Sequence, residues 1–213
     1  MNILLVSATQ NEILPFYNAA FSLGNHNLRL LVTGAGIVQT VWELSKELNA
    51  PAFHCDLAIN AGIAGSFDSS LEKGAVVEVI SDCFADFGAQ DGASFISAFE
   101  LGIGGGDNFP FKNNHLFASY SLNLSFPKVN GITVNTVSGN EDCIRQRKLL
   151  HSAQIESMEG AAFFYCCLAT GVPCLQLRSI SNPIEKRNRI NWNIPLAVLN
   201  LNSALKALLL SLE

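Results

Sequence analysis

Concentrated positive charge is missing from this chain. Its 13 Lys and Arg are outnumbered by 18 Asp and Glu, and no stretch gathers the basic residues into a stripe. Nucleic acids and anionic membranes are gripped by such stripes, so neither is an expected partner. A metal centre has no support either: the six cysteines form no CxxC pair, and His26, His54, His115 and His151 share no ligand spacing. Nor do the cysteines read as a disulfide framework. Cys166 and Cys167 are adjacent, and the other four lie in or beside apolar runs, where a thiol behaves as a small hydrophobe. Reduced thiols in a folded domain point to the cytoplasm. The N-terminal MNILLVSATQNE lacks a charged leader region and a cleavage site, and Asn200, Asn202 and Lys206 interrupt the most apolar stretch. Neither a signal peptide nor a membrane span is therefore expected.

No cofactor is expected. Gly34-Ala35-Gly36 sits between a predicted strand and helix, as a dinucleotide fingerprint would, but Gln39 stands in the third glycine's place. A tight strand-to-helix turn accounts for both glycines.

What is present suits one compact domain spanning residues 1–213, with 49% hydrophobic and 15% charged residues and no linker or internal repeat. A chain of this length buries roughly 70% of its unfolded surface without staples. Short apolar runs predict strands at 3–6, 28–32, 56–59, 74–80, 132–137, 154–157 and 174–180. Helical patterns follow through Ile13, Phe16 and Ala20, over Val38–Leu48, around Arg145, Arg147 and Lys148, and from Gly160 to Leu168. A last helix begins near Pro195, with Leu196, Leu199, Leu205 and Leu208 as its apolar stripe. Alternating strands and helices predict an α/β domain. The long irregular stretch Phe99–Asn114 reads as a lid, binding or interface loop.

Several segments can carry chemistry. Small residues in Asn60-Ala61-Gly62-Ile63-Ala64-Gly65-Ser66 let a backbone approach a ligand after a buried strand, although close helix–sheet packing uses the same residues. Glu156-Ser157-Met158-Glu159-Gly160 places two carboxylates where a strand meets a helix; a carboxylate there can bind ribose hydroxyls or complement the helix dipole. Arg178 and Asn182 sit where a buried run leaves the sheet, and an Asn amide matches a purine edge or caps a turn. Glu12 is a functional carboxylate or an ordinary first-turn acid. The histidines suggest no catalytic role.

Taken in order, Glu12, NAGIAGS at 60–66, VSG at 137–139, SMEG at 157–160 and RSIS at 178–181 resemble the nucleoside phosphorylase and nucleosidase family over essentially the whole chain. SMEGAA, RSISN and RNRINWNIPLA look most like its futalosine-hydrolysing branch, which releases hypoxanthine and dehypoxanthine futalosine in a bacterial route to menaquinone. The resemblance implies a three-layer α/β/α sandwich around a mixed, partly barrel-like sheet. It also implies a purine nucleoside as ligand and a homodimer or larger homo-oligomer, with the Phe99–Asn114 loop helping to close a neighbour's site.

By the same resemblance, Glu159 binds the ribose hydroxyls, Met158 packs on the sugar and Glu12 orients or deprotonates the attacking water. Ala61, Gly62, Ile63, Ser138, Gly139, Ser157 and Arg178 complete the expected substrate shell, with Phe87 as a base or tail contact. Methylthioadenosine nucleosidases resemble an Asp, the acid at N7, where this chain has Asn182. Asn cannot give up that proton, but its amide can donate to N7 and to a 6-oxo group, which favours hypoxanthine over adenine. Residues 1–28 and 60–66 contain no Arg or Lys to cradle phosphate, and Glu12 would repel it, so water is the expected nucleophile unless Arg29 or Arg145 folds into the site. A methylthioadenosine or adenosylhomocysteine nucleosidase, a purine nucleoside phosphorylase and a non-catalytic nucleoside binder remain as alternatives.

Overall fold

The structure, a computed structural model, describes residues 1–18, 26–92, 94–104, 106–121 and 124–212. Its strands are β1 (Asn2–Ser7), β2 (Asn27–Val32), β3 (Leu57–Ser66), β4 (Val76–Asp82), β5 (Gly88–Asp91), β6 (Ser94–Ser97), β7 (Leu116–Phe117), β8 (Lys128–Thr133), β9 (Ile155–Ser157) and β10 (Cys174–Pro183). The helices are α1 (Gln10–Asn18), α2 (Ile37–Leu48), α3 (Glu141–Leu150), α4 (Gly160–Ala169) and α5 (Ile194–Ser211), the last preceded by a single 3-10 turn, Arg189–Asn191.

β3 holds the main sheet together. It runs parallel to β1 on one side and to β10 on the other. β10 then pairs antiparallel with β4, β4 parallel with β8, β8 parallel with β9, and β9 antiparallel with the far end of β3. Those five strands close a ring from which β1 and β2 extend, giving the mixed, partly barrel-like sheet that the family resemblance implied.

Strand alternation distributes the apolar side chains to two layers. Leu4, Val6, Ala58 and Ile180 meet Leu44 of α2 and Phe163, Phe164 and Cys167 of α4. Ile3, Leu5, Leu57, Ile59, Ala61, Leu175 and Leu177 meet Ile13 of α1 and Leu201, Leu205, Leu208 and Leu209 of α5. Each fully buried Leu or Ile contributes roughly 1.5–3 kcal/mol. Because both faces are covered, the central strands read as continuous hydrophobic runs.

Three expectations need correction. The NAGIAGS segment does not follow the buried strand predicted at 56–59 but continues it as the second half of β3, which pairs with β10 as far as Ser66↔Pro183. Closing the ring requires that length, although Gly and Ala are poor strand signals. The predicted strand at 132–137 lies earlier, at Lys128–Thr133, where it pairs with β4 and β9. On α5 the buried stripe is Ala197, Leu201, Leu205, Leu208 and Leu209, whereas Leu199 faces solvent. The β5–β6 hairpin and β7 had no sequence expectation. Ala20, assigned to the first helix, lies outside the described residues.

By length and composition alone, Arg189–Ser211 is apolar enough to cross a membrane. In the fold its leucines pack on β3 and β10, and the buried Asn202 side chain donates to the backbone carbonyls of Glu12 (2.7 Å) and Val198 (2.6 Å).

Candidate active site

A cavity of about 360 Å³ opens where β1, β3, β9 and β10 end, bounded by α1 and the start of α5. Ligands of open α/β sheets bind at such strand ends. Its lining joins segments far apart in the chain: Glu12, Ile63, Met158, Glu159, Asn182 and Trp192 all face it.

Glu12 reaches it from the first turn of α1. Thr9 precedes the first residue of α1, and three residues on, Glu12 turns back to accept from the Thr9 backbone N–H at 2.9 Å. The same oxygen accepts from Thr9 Oγ1 (2.8 Å) and Ser7 Oγ (3.2 Å), while Oε1 accepts from the Ile63 N–H at 3.0 Å. The ordinary reading of Glu12, a first-turn acid, and the functional one are thus both present. Its bonds fix the carboxylate at the cavity wall.

Glu159 stands at the start of α4 and is 7% exposed. Its Oε1 accepts from the Gly36 N–H at 3.0 Å, and Oε2 lies 3.8 Å from Arg178 Nη2. Gly34 and Gly36, with φ of 87° and 95°, make the turn that aims this N–H, so the glycine pair assigned to a tight turn also holds a site carboxylate. Arg178 itself is fully buried and donates twice to Gln176 Oε1, at 3.0 and 2.8 Å. It supports Glu159 from behind and does not line the cavity.

Beneath α4 lies a residue the sequence reading passed over. Asp82, at the end of β4, is 1% exposed and accepts from Thr133 Oγ1 (2.9 Å) and Gln176 Nε2 (3.3 Å). Burial pushes its carboxyl up to about 7, against the lowering effect of those bonds and of Arg178. Only glycine fits above it, since a Cβ on Gly160 would collide with Asp82 Oδ2. The Asp82–Gln176–Arg178 chain anchors the ion pair to Glu159. A lone Asp after an apolar run gave no signal of this.

Asn182 also lines the cavity. Its Oδ1 accepts from Ser181 Oγ at 2.7 Å and its Nδ2 donates to the Pro183 carbonyl at 2.9 Å. Ile63, Ser157 and Met158 line the cavity. Ser138 lines a smaller adjoining cleft, where its hydroxyl donates to Glu156 Oε2 at 2.6 Å and accepts from Arg147 Nη1 at 2.7 Å. Glu156 is therefore neutralised by Arg147, also at 2.7 Å.

Four other assigned residues sit elsewhere. Ala61 is buried in the layer beneath α5, and Gly62 covers the Arg178 guanidinium. Gly139 receives the Arg187 backbone N–H on its carbonyl at 3.1 Å and does not line either space. Phe87 is half exposed and stacks edge-on with Phe99 at 6.3 Å, outside the cavity. Conversely, Ala8, Thr9, Asn11, Ala35, Ser181, Ile194 and Val198 face the cavity without having been assigned to it. Their residue types are unremarkable in the sequence; only folding collects them.

The main cavity is lined by Glu12, Glu156 and Glu159 and by no Lys, Arg or His among the described residues. Arg29 and Arg145 pair with Glu47 and Asp142, each at 2.6 Å, and neither lines it. With Glu156 paired to Arg147 and Glu159 facing Arg178, Glu12 is the lining carboxylate without an ion pair among the described residues, and its charge favours a developing cation and repels a phosphate dianion.

The sequence profile of the Phosphorylase superfamily matches residues 14–210. The chain belongs to this superfamily. It is 31% identical over 159 residues to the futalosine hydrolase of Streptomyces coelicolor, covering 74% of this chain and 67% of that protein. Among solved structures, the futalosine hydrolase of Helicobacter pylori superposes with a TM-score of 0.79 at 19% identity, covering 98% of this chain and 97% of that one. The 5'-methylthioadenosine/S-adenosylhomocysteine nucleosidase of Neisseria meningitidis, in complex with methylthio-immucillin-A, superposes with a TM-score of 0.80 at 15% identity, covering 99% of both chains. These structural likenesses show a shared fold.

Proposed function

We propose that this member of the superfamily hydrolyses futalosine, releasing hypoxanthine and dehypoxanthine futalosine on a bacterial route to menaquinone, as a cytoplasmic homo-oligomer. The chain is an N-glycosyl hydrolase, and its relatives include both futalosine hydrolases and methylthioadenosine nucleosidases. One observation supports the narrower reading: Asn182, the residue assigned to the edge of the base, lines the cavity.

The chemistry follows from the lining. Breaking the bond from C1′ to the base develops positive charge on the ribose and negative charge on the purine. Glu159 and Met158 line the part of the cavity assigned to the sugar, where the Glu159 carboxylate accepts ribose hydroxyls and stabilises the growing cation. At 4 Å and an effective dielectric of 20, such an attraction amounts to about 4 kcal/mol. Glu12, held by bonds on both oxygens, orients the water that attacks C1′. No cation of the main cavity offers phosphate a seat, which supports water as the nucleophile. Asn182 can present an N–H to N7 or O6 of hypoxanthine, whereas an adenine amino group would confront donor with donor.

The deciding experiment incubates the purified protein with futalosine, inosine and methylthioadenosine, with and without phosphate, and identifies the base and sugar products. Hypoxanthine should leave futalosine at the same rate without phosphate. Preferential adenine release from methylthioadenosine, or a strict phosphate requirement, would overturn the assignment.

A further inference from the structure

At the Asn182 end the main cavity continues into a cleft of about 70 Å³, too small for a nucleoside and sized for the edge of a ring. Asn182, Ser138, Arg187 and Trp192 line it, together with Glu156 and Glu185. A base whose sugar lies against Glu159 and whose edge meets Asn182 projects into this cleft, so the inference rests on the function proposed above.

The departing base poses an electrostatic problem there. The C1′–N9 bond breaks with its electron pair remaining on the purine, while the oxygen of water bonds C1′. Water's proton leaves to solvent, and the purinyl anion later takes one up from solvent. Asn182 has no acidic proton to offer. Its Oδ1 is engaged by Ser181 and one of its two N–H groups by the Pro183 carbonyl, which leaves one N–H for the base. One neutral donor is weak compensation for a full negative charge.

Arg187 supplies what is missing. Its backbone is tied to Gly139, and its guanidinium lies 5.5 Å from the centroid of the Trp192 ring. Among the described residues the guanidinium enters no ion pair, so its donors are uncommitted. Neither carboxylate of the cleft forms an ion pair with Arg187: Glu156 is paired with Arg147 at 2.7 Å, and Glu185 accepts from the Asn191 amide at 2.6 Å. We infer that Arg187, steadied on Trp192, meets the O6/N7 edge of the departing purine and stabilises its negative charge as the glycosidic bond breaks. It acts as a fixed cation, since a guanidinium does not release its proton.

The test compares wild type, Arg187→Gln and Arg187→Lys on futalosine and on 4-nitrophenyl β-D-ribofuranoside, whose leaving group needs no help. Arg187 is exposed, so neither variant threatens the fold. Losing one preorganised donor to a developing anion costs on the order of 10²–10³ in kcat, and less in a partly hydrated cleft. Arg187→Gln should lower kcat on futalosine by roughly tenfold or more while KM changes by less than about threefold. Arg187→Lys should recover part of that loss, and the loss on the nitrophenyl riboside should stay under about twofold. A futalosine kcat within twofold of wild type, a loss confined to KM, or equal losses on both substrates would overturn the inference. A wild-type protein that releases no purine from futalosine overturns the function proposed above, an outcome distinct from an active enzyme indifferent to Arg187.

Discussion

Glu159 and Asn182 divide the chemistry between sugar and base, and each can be removed separately. Glu159→Gln keeps the side chain's size but takes its charge from beside the developing cation. Turnover should fall by roughly 100-fold or more while the circular dichroism spectrum is unchanged, and near-normal turnover would remove Glu159 from the catalytic set. Asn182→Asp restores an acid at the base edge. Hydrolysis should then shift toward 6-aminopurine nucleosides in a competition between adenosine-type and inosine-type substrates; an unaltered ratio speaks against the amide argument. Asp82 makes the stability of the fold depend on pH. Its carboxyl, at about 7 in the folded protein, retains a proton that the unfolded chain gives up near pH 4. The native state thus binds the additional proton between those values. The resulting stabilisation is complete below about pH 4 and is lost as pH rises through 7. Urea unfolding between pH 5 and 8 should show stability declining with pH, and Asp82→Asn should flatten that slope. An unchanged slope in the variant would locate the titration elsewhere.

At the level of elements, β3 and β10 decide where the site residues point. That the segment 60–66 reaches a cavity was legible because small residues follow a buried run, but its strand character was not, because ring closure is set by β9 and β10 far away in sequence. The consequence reached individual residues. A strand buries side chains on both faces, so Ala61 was drawn into the layer of α5 and Gly62 was placed against Arg178, while Ile63 remained at the cavity. Glu12, Met158, Glu159 and Asn182 were legible because each ends or begins a well-marked element. Asp82, Gln176 and Arg147 were not, since their meaning depends on partners in other strands. Gly62 gives this a direct test. A Cβ there would collide with Arg178 Nη1 and crowd Glu12 Oε1 at 3.0 Å. Because Arg178 is sealed in the core, its guanidinium has little room to yield, and overpacking of this kind costs roughly 1–3 kcal/mol. Gly62→Ala should lower the melting temperature and also reduce kcat, as Arg178 shifts away from Glu159. A variant less stable but fully active would uncouple that arginine from the site.

Across the whole molecule, aromatic rings form a continuous row on one side. Phe87 on the approach to β5 meets Phe99 at 6.3 Å, Phe99 meets Phe111 at 5.4 Å, and Phe111 meets Tyr165 of α4 at 5.8 Å. The loop from Phe99 to Asn114 adds Ile103 and Phe109, which are 74% and 77% exposed. Scattered apolar residues on a surface need no explanation, but rings in contact with one another and flanked by exposed Ile and Phe favour association over solvation. The proposed homo-oligomer would bury this row, which gives the loop and the half-exposed Phe87 a role outside the cavity. Light scattering at micromolar concentration should then give at least twice the chain mass of 23.0 kDa. Ile103→Asp combined with Phe109→Asp should shift the protein to a monomer without unfolding it, because neither side chain belongs to the core. If the same loop also closes a neighbour's cavity, KM for the nucleoside should rise in the monomeric variant. A monomeric wild type would sink the association outright, and a monomeric variant with unaltered KM would confine the loop to holding the copies together.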